Sequence, residues 1–247
     1  EHVFEAIAGA RSGAVPEGSV GAGTGSTCMG WKGGMGTSSR VLPPKRGGYT
    51  VGVLVQTNFG GVLTVNGAPV GRELGRYSNS ADFPYEIPDT GDVEGADPEG
   101  IDLETRVCEV DDPDGSVMVI VATDAPLDQR QLARLAKRAG LGLARTGFYS
   151  SNGSGDFFIA FSTVGRIPHD SSLTAKAEVV SNDAMSPLFL AVVEAAEEAV
   201  INSMLRATTV IGRDGRTVDA VDIDQLLRVM RKYNALNWSR TLPPWGG

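Results

Sequence analysis

The chain has 247 residues, enough for one large domain or two small ones, and 41% of them are apolar, as in ordinary globular proteins. A net charge of -8 with no basic stripe disfavours nucleic-acid binding, and no apolar run reaches the ~18 residues that a membrane-spanning helix needs. Two cysteines are too few for a disulfide scaffold and fit a reducing cytoplasm, while two histidines leave little material for a zinc site or a Ser-His-Asp triad. Hydrolytic chemistry would have to find its base elsewhere, and no metal or cofactor is expected. With no initiator Met and no leader pattern, Glu1 reads as a boundary left by processing or cloning.

Residues 3–10 read as a short helix. Residues 21–37 are glycine-dense, with Gly21, Gly23, Gly25, Gly30, Gly33, Gly34 and Gly36. They invite comparison with a phosphate loop, but Lys32 follows Trp31 and precedes Gly33, so that pattern is absent. Tight turns and close backbone contacts are the expected use of these glycines. Residues 49–59 read as a buried strand. Asn66-Gly67 between apolar residues is a strong hairpin signal. Residues 76–114 hold four prolines (Pro84, Pro88, Pro98 and Pro113) and most of the acidic surplus, so a flexible acidic loop is expected there.

Beyond this loop, residues 116–124 read as a strand. Asp124 is expected to cap the next helix, with Pro126 in its first turn and Leu132, Leu135, Ala136 and Ala139 as its buried stripe. Residues 155–164 read as another strand. Residues 186–207 read as a long helix with Leu188, Val192, Ala195, Ala199 and Met204 near one face, and residues 222–233 as a last short helix. The mix points to a layered α/β or α+β domain.

The junction Asp114-Gly115-Ser116 suits self-cleavage. A Ser hydroxyl can attack the preceding Gly carbonyl and shift the acyl group from nitrogen to oxygen, after which water hydrolyses the ester. Gly tolerates strained backbone beside the attacked carbonyl. The α-amine so freed has a reference pKa of about 7.7–8.0 and can serve as base for its own hydroxyl, without histidine. Gly-Ser alone is a common dipeptide, and its plain reading is the start of a strand.

The surrounding segments change the balance. GTGSTCMGWKGGMGTSSR, YTVGVLVQTNFGG, LTVNGAPVGREL, GSVMVIVATDAPLDQRQLARLAKRAGLGLARTG and SNGSGDFFIAFST follow one another in collinear order. Over nearly all of residues 15–240 the chain resembles the β-peptidyl aminopeptidases and the related L-aminopeptidase/D-esterase enzymes, which are self-processing N-terminal-nucleophile hydrolases. The resemblance implies an α+β, four-layer αββα sandwich over residues 1–247. It implies cleavage between Gly115 and Ser116 into 1–115 and 116–247, which stay associated, and a homo-oligomer of these processed heterodimers.

It also implies roles for residues. Ser116 is the expected nucleophile and its freed amine the base. Ser154 and Asp156 match an element lying against the nucleophile: Ser154 would bond the Ser116 hydroxyl or amine, and Asp156 would hold the α-ammonium. Asn58 matches an oxyanion donor, with Gly60 and Gly61 beside it allowing close substrate approach. The implied activity removes N-terminal β-amino or L-residues from short peptides, amides or esters through an ester on Ser116. An acyltransferase on the same scaffold and a non-catalytic assembly protein are the alternatives. Precursors of the family carry a further segment before the equivalent of Glu1, which is expected to supply strands and part of the substrate pocket. Substrate preference is therefore not carried over.

Overall fold

The computed structural model describes residues 1–86, 115–165, 169 and 177–236. In chain order its elements are α1 (His2–Ala8), β1 (Thr27–Cys28), β2 (Trp31–Lys32), β3 (Met35–Val41), β4 (Thr50–Asn58), α2 (Val70–Glu73), β5 (Ser116–Thr123), α3 (Gln129–Arg145), β6 (Gly155–Ser162), α4 (Ser186–Leu205), β7 (Val210–Ile211), β8 (Thr217–Val218) and α5 (Ile223–Lys232). The main sheet has the order β3-β4-β5-β6. Its first two pairings are antiparallel, while β5 and β6 run parallel and are joined through α3.

Alternation along the strands decides which face is covered. Val51, Val53 and Val55 of β4 and Val117, Val119 and Val121 of β5 are all buried and share one face by the period of two. That face packs beneath α3 and α4. Helix α4 is apolar on nearly all sides, as a helix inside a core must be, and Leu188, Val192, Ala195, Ala199 and Met204 are all buried. The two helices meet closely at Gly142, where an added Cβ would lie 2.3 Å from the Val193 carbonyl oxygen.

The same logic places Gly36 of β3 under α4, where an added Cβ would stand 1.9 Å from the Ala199 carbonyl oxygen and 2.7 Å from the Ser203 nitrogen. Neither obstacle is a flexible side chain. Gly36→Ala is expected to cost at least about 1–3 kcal/mol of stability, read as a lowered denaturation midpoint, whereas Gly52→Ala, with open space around it, is not. Equal midpoints for the two variants would contradict this packing.

The opposite face of the sheet is open among the described residues. Phe157, Ile159 and Phe161 alternate along β6 and are 59%, 49% and 46% exposed, and Met118 of β5 joins them. The described residues thus form one main sheet under one helical layer, beside two small two-stranded sheets, with the second apolar face of the main sheet uncovered.

Several expectations shift in detail. Asn66 and Gly67 do form a tight turn, with φ of 48° and 85° and reciprocal bonds between Val65 and Ala68. Its flanks are not strands, because α2 begins directly after Pro69. Asp124 does not cap α3; it accepts the Thr50 N–H at 2.7 Å. The cap is Asp128, which forms a capping box with Gln131. Gly61 is held in close packing, since a Cβ there would stand 2.7 Å from the Gly147 carbonyl oxygen. Of the loop expected over 76–114, residues 76–86 are turns and irregular chain, yet Tyr77 and Ser78 are buried. Residues 87–114 lie outside the described residues.

Candidate active site

Ser116 is the first residue of β5, a central strand, and stands opposite Asn58 on one side and Gly155 on the other. The alternation that buries Val117 turns Ser116 to the open face of the sheet, where it is exposed. Its hydroxyl donates to the Gly115 carbonyl at 2.6 Å, and the Gly155 N–H donates to the same carbonyl at 3.0 Å. The peptide that self-cleavage would break therefore lies beside its candidate attacker, with its oxygen already held by a backbone donor. Nothing in the sequence identified the Gly155 N–H, because a backbone group carries no residue signature.

Sterics explain both glycines. A Cβ on Gly115 would stand 2.2 Å from the Asn58 carbonyl oxygen and 2.7 Å from the Phe59 Cα. A Cβ on Gly155 would stand 3.1 Å from the Ser116 Oγ. Side chains at these positions would displace the junction or crowd the hydroxyl.

Asn58 ends β4 on the same face as Ser116. Its Oδ1 accepts the Thr27 N–H at 3.1 Å, which fixes the amide and leaves the NH2 as its free donor. Asn58, Gln56, Ser116 and Met118 of the sheet, with Ala22, Gly25 and Ser26 of the glycine-rich turn, line a cavity of about 280 Å³.

Ser154 and Asp156 flank Gly155 at the start of β6. The Ser154 hydroxyl donates to Asp156 Oδ1 at 2.6 Å, and the Ser150 hydroxyl donates to Oδ2 at 2.5 Å. Sequence reading missed Ser150, which adopts φ of 53° in the turn before β6. In the uncut chain these groups bond one another; among the described residues no side-chain hydrogen bond joins Ser116 to Ser154, Asp156 or Asn58, although Ser116 and Asn58 are paired through the backbone of the sheet. The structure brings all four residues to one end of β4, β5 and β6 without completing their mutual contacts. His2 and His169 are exposed and line neither this cavity nor the one beside it.

A buried cation stands behind the site. Lys32 is 1% exposed, and its ammonium donates to the carbonyls of Gly23, Ser26 and Gly33 at 2.7, 2.6 and 2.7 Å. It clamps the turn that walls the cavity, and Thr27, next to Ser26, is the residue that fixes Asn58. Burial lowers its pKa from the ordinary lysine value. Close by, burial pushes the Cys28 thiol from 9.0 to about 12, against smaller opposing effects of the Thr57 hydrogen bond and the Lys32 charge. Because the folded value is the higher one, stability is lost as pH rises between about 9 and 12, at up to about 1.4 kcal/mol per pH unit. Cys28→Ala is expected to make this alkaline decline shallower in denaturation midpoints taken from pH 9 to 11. Parallel declines would refute the assignment.

Comparison with known proteins identifies relatives of the chain. The family model for Peptidase family S58 matches residues 1–218. The beta-peptidyl aminopeptidase BapA of Sphingosinicella microcystinivorans is 42% identical over 240 residues, covering 96% of this chain and 57% of the relative. The PH0078 protein of Pyrococcus horikoshii OT3 superposes with a TM-score of 0.74 at 42% identity, over 94% of this chain and 56% of its own. The L-aminopeptidase D-Ala-esterase/amidase of Ochrobactrum anthropi, described as a variant of the Ntn hydrolase fold, gives 0.73 at 35% identity over 95% and 58%. The chain thus spans somewhat more than half the length of these relatives. Its fold is the αββα sandwich of the N-terminal-nucleophile type, of which the described residues form one four-stranded main sheet with its helical layer and two small two-stranded sheets. On the family match and these identities, the chain belongs to Peptidase family S58.

Proposed function

We propose that this chain is the self-processing part of a serine aminopeptidase or amidase, acting on the N-terminal residue of short peptides, amides or esters. The observation that carries this reading is the placement of Ser116: first on a central strand, its hydroxyl against the Gly115 carbonyl, beside Asn58 in a cavity. In processing, Ser116 Oγ attacks the Gly115 carbonyl carbon while the Gly155 N–H stabilises the developing oxyanion. The 115–116 C–N bond breaks, the acyl group passes to Oγ, and water releases the Gly115 carboxylate and the Ser116 amine. In turnover that amine takes the Oγ proton, Oγ attacks the substrate carbonyl, and the Asn58 NH2 serves the oxyanion. The leaving amine departs with a proton, and water cleaves the ester. Asp156, steadied by Ser150 and Ser154, holds the α-ammonium in place. The processed halves stay together and assemble as a homo-oligomer, in line with the family resemblance.

The test is an intact-mass spectrum of the purified protein together with hydrolysis of a small aminoacyl amide. Two polypeptides meeting at 115/116 and a released amine are expected. A preparation that stays uncut and is still active overturns the scheme. Product diverted mainly to an added amine acceptor would mark a transferase instead.

A further inference from the structure

A second cavity of about 350 Å³ meets the first at Gly25, Ser26 and Asn58. This volume lies within the range of small-molecule sites. The β7–β8 hairpin also lines it, contributing Arg213 and Arg216, as does Lys32. Every charged residue lining it is a cation, in a chain of net charge -8. Lys32 spends its protons on three carbonyls, so it contributes field and not a bond. Arg213 lies 3.5 Å from Asp214, but both side chains are almost fully exposed and the pair is screened. Arg216 has no ion pair among the described residues. The cavity therefore offers two guanidinium groups and, from Thr24 and Thr27, further polar atoms.

We propose that this cavity is a leaving-side subsite that takes the free α-carboxylate of a short peptide, with Arg213 and Arg216 as its binding groups. The proposal rests on the hydrolytic reading above. With the acyl portion in the Ser116–Met118 cavity and the scissile carbonyl at Asn58, the departing amine lies on the far side of Asn58, toward the cations. In a dipeptide the carboxylate carbon lies only about 2.5 Å from the departing nitrogen, and each added residue moves it about 3.8 Å further along the chain, so a short peptide places its carboxylate in the adjoining cavity. A guanidinium donates two parallel N–H bonds to a carboxylate, a charged two-point geometry that an amide cannot reproduce. The subsite thus selects peptides with a free C-terminus over their C-terminal amides.

The experiment compares one dipeptide and its C-terminal amide on the full chain and on an Arg213→Gln/Arg216→Gln double variant. Both arginines are exposed, so the fold should not depend on them. The double variant is expected to raise KM for the free acid about tenfold or more, leave kcat on it nearly unchanged, and leave amide kinetics unchanged. Added salt should reproduce the loss for the acid alone. Equal losses on both substrates, or none on the acid, overturn the subsite. If the parent chain cleaves neither substrate, the hydrolytic reading fails on its own account. Calorimetric binding of the two peptides then decides the subsite: tighter binding of the acid that vanishes in the double variant supports it, and no difference overturns it.

Discussion

Ser116→Ala is expected to leave one uncut polypeptide of 247 residues and to reduce hydrolysis of a small aminoacyl amide at least ~10³-fold. Removing the hydroxyl removes the attacking atom of processing and of turnover at once, and without processing no α-amine exists to act as base. The fold should not suffer, because Ser116 is exposed and its hydroxyl bonds, among the described residues, its neighbour's carbonyl alone. An unchanged melting curve beside a lost cut would separate chemistry from folding. Ser116→Thr, which keeps a hydroxyl, should recover part of the cleavage. A Ser116→Ala protein that still yields two chains would mean that the junction is cut by something other than its own side chain.

Asp156→Asn is expected to lower kcat/KM by roughly 10²–10⁴-fold, the usual worth of a positioned base, while His169→Ala leaves it nearly intact. The amide is close in shape to the carboxylate and can still accept one of the two serine hydroxyls that Asp156 now receives. It carries no charge to hold an ammonium. Processing precedes the amine, so the Asp156→Asn chain is expected still to cut, which divides the two steps. In the parent, turnover should rise with pH through the titration of the freed amine, whose reference pKa is about 7.7–8.0. The carboxylate favours the ammonium and raises that value, whereas burial lowers it. Loss of activity in His169→Ala, with Asp156→Asn unaffected, would move the base to histidine.

The strands and long helices were legible from the length and spacing of their apolar residues. Strands β4 and β5 are short apolar runs rich in Val, and α3 and α4 repeat at helical spacing, so their boundaries fall within a few residues of expectation. The cap of α3 was legible too, had the acceptor three residues on been weighed. Asp128 has Gln131 at that distance and Asp124 has only Leu127. Asn66-Gly67 fixed the turn but not its arms, because a turn signal does not say whether the chain beyond it pairs or coils. At the site, Ser116, Asn58, Ser154 and Asp156 stood in motifs. Ser150 did not, and Lys32, though inside a matching segment, carried no role there, since burial of a lysine under three carbonyls depends on how distant segments meet. Most glycines of 21–37 fit the expected turns and close contacts: Gly23, Gly33, Gly34 and Gly36 leave no room for a Cβ and Gly21 and Gly30 take positive φ, whereas Gly25 shows neither. A Cβ at Gly34 would lie 1.9 Å from the Gly18 carbonyl oxygen.

The register of β4 with β5 has a thermodynamic consequence. The two strands pair continuously from Val51 opposite Thr123 to Asn58 opposite Ser116. A cut at 115/116 assigns β3 and β4 to one polypeptide and β5, α3, β6 and α4 to the other, so the seam between the products runs through the middle of a sheet. Folding, a unimolecular reaction in the uncut chain, becomes an association of two fragments after the cut. The melting temperature of the cut protein then rises with its concentration by mass action, whereas that of an uncut monomer does not. On cooling at high dilution, separated fragments must find each other again, each exposing the edge of a strand that was interior. Heated cut protein is therefore expected to regain less of its folded state than Ser116→Ala protein carried through the same cycle.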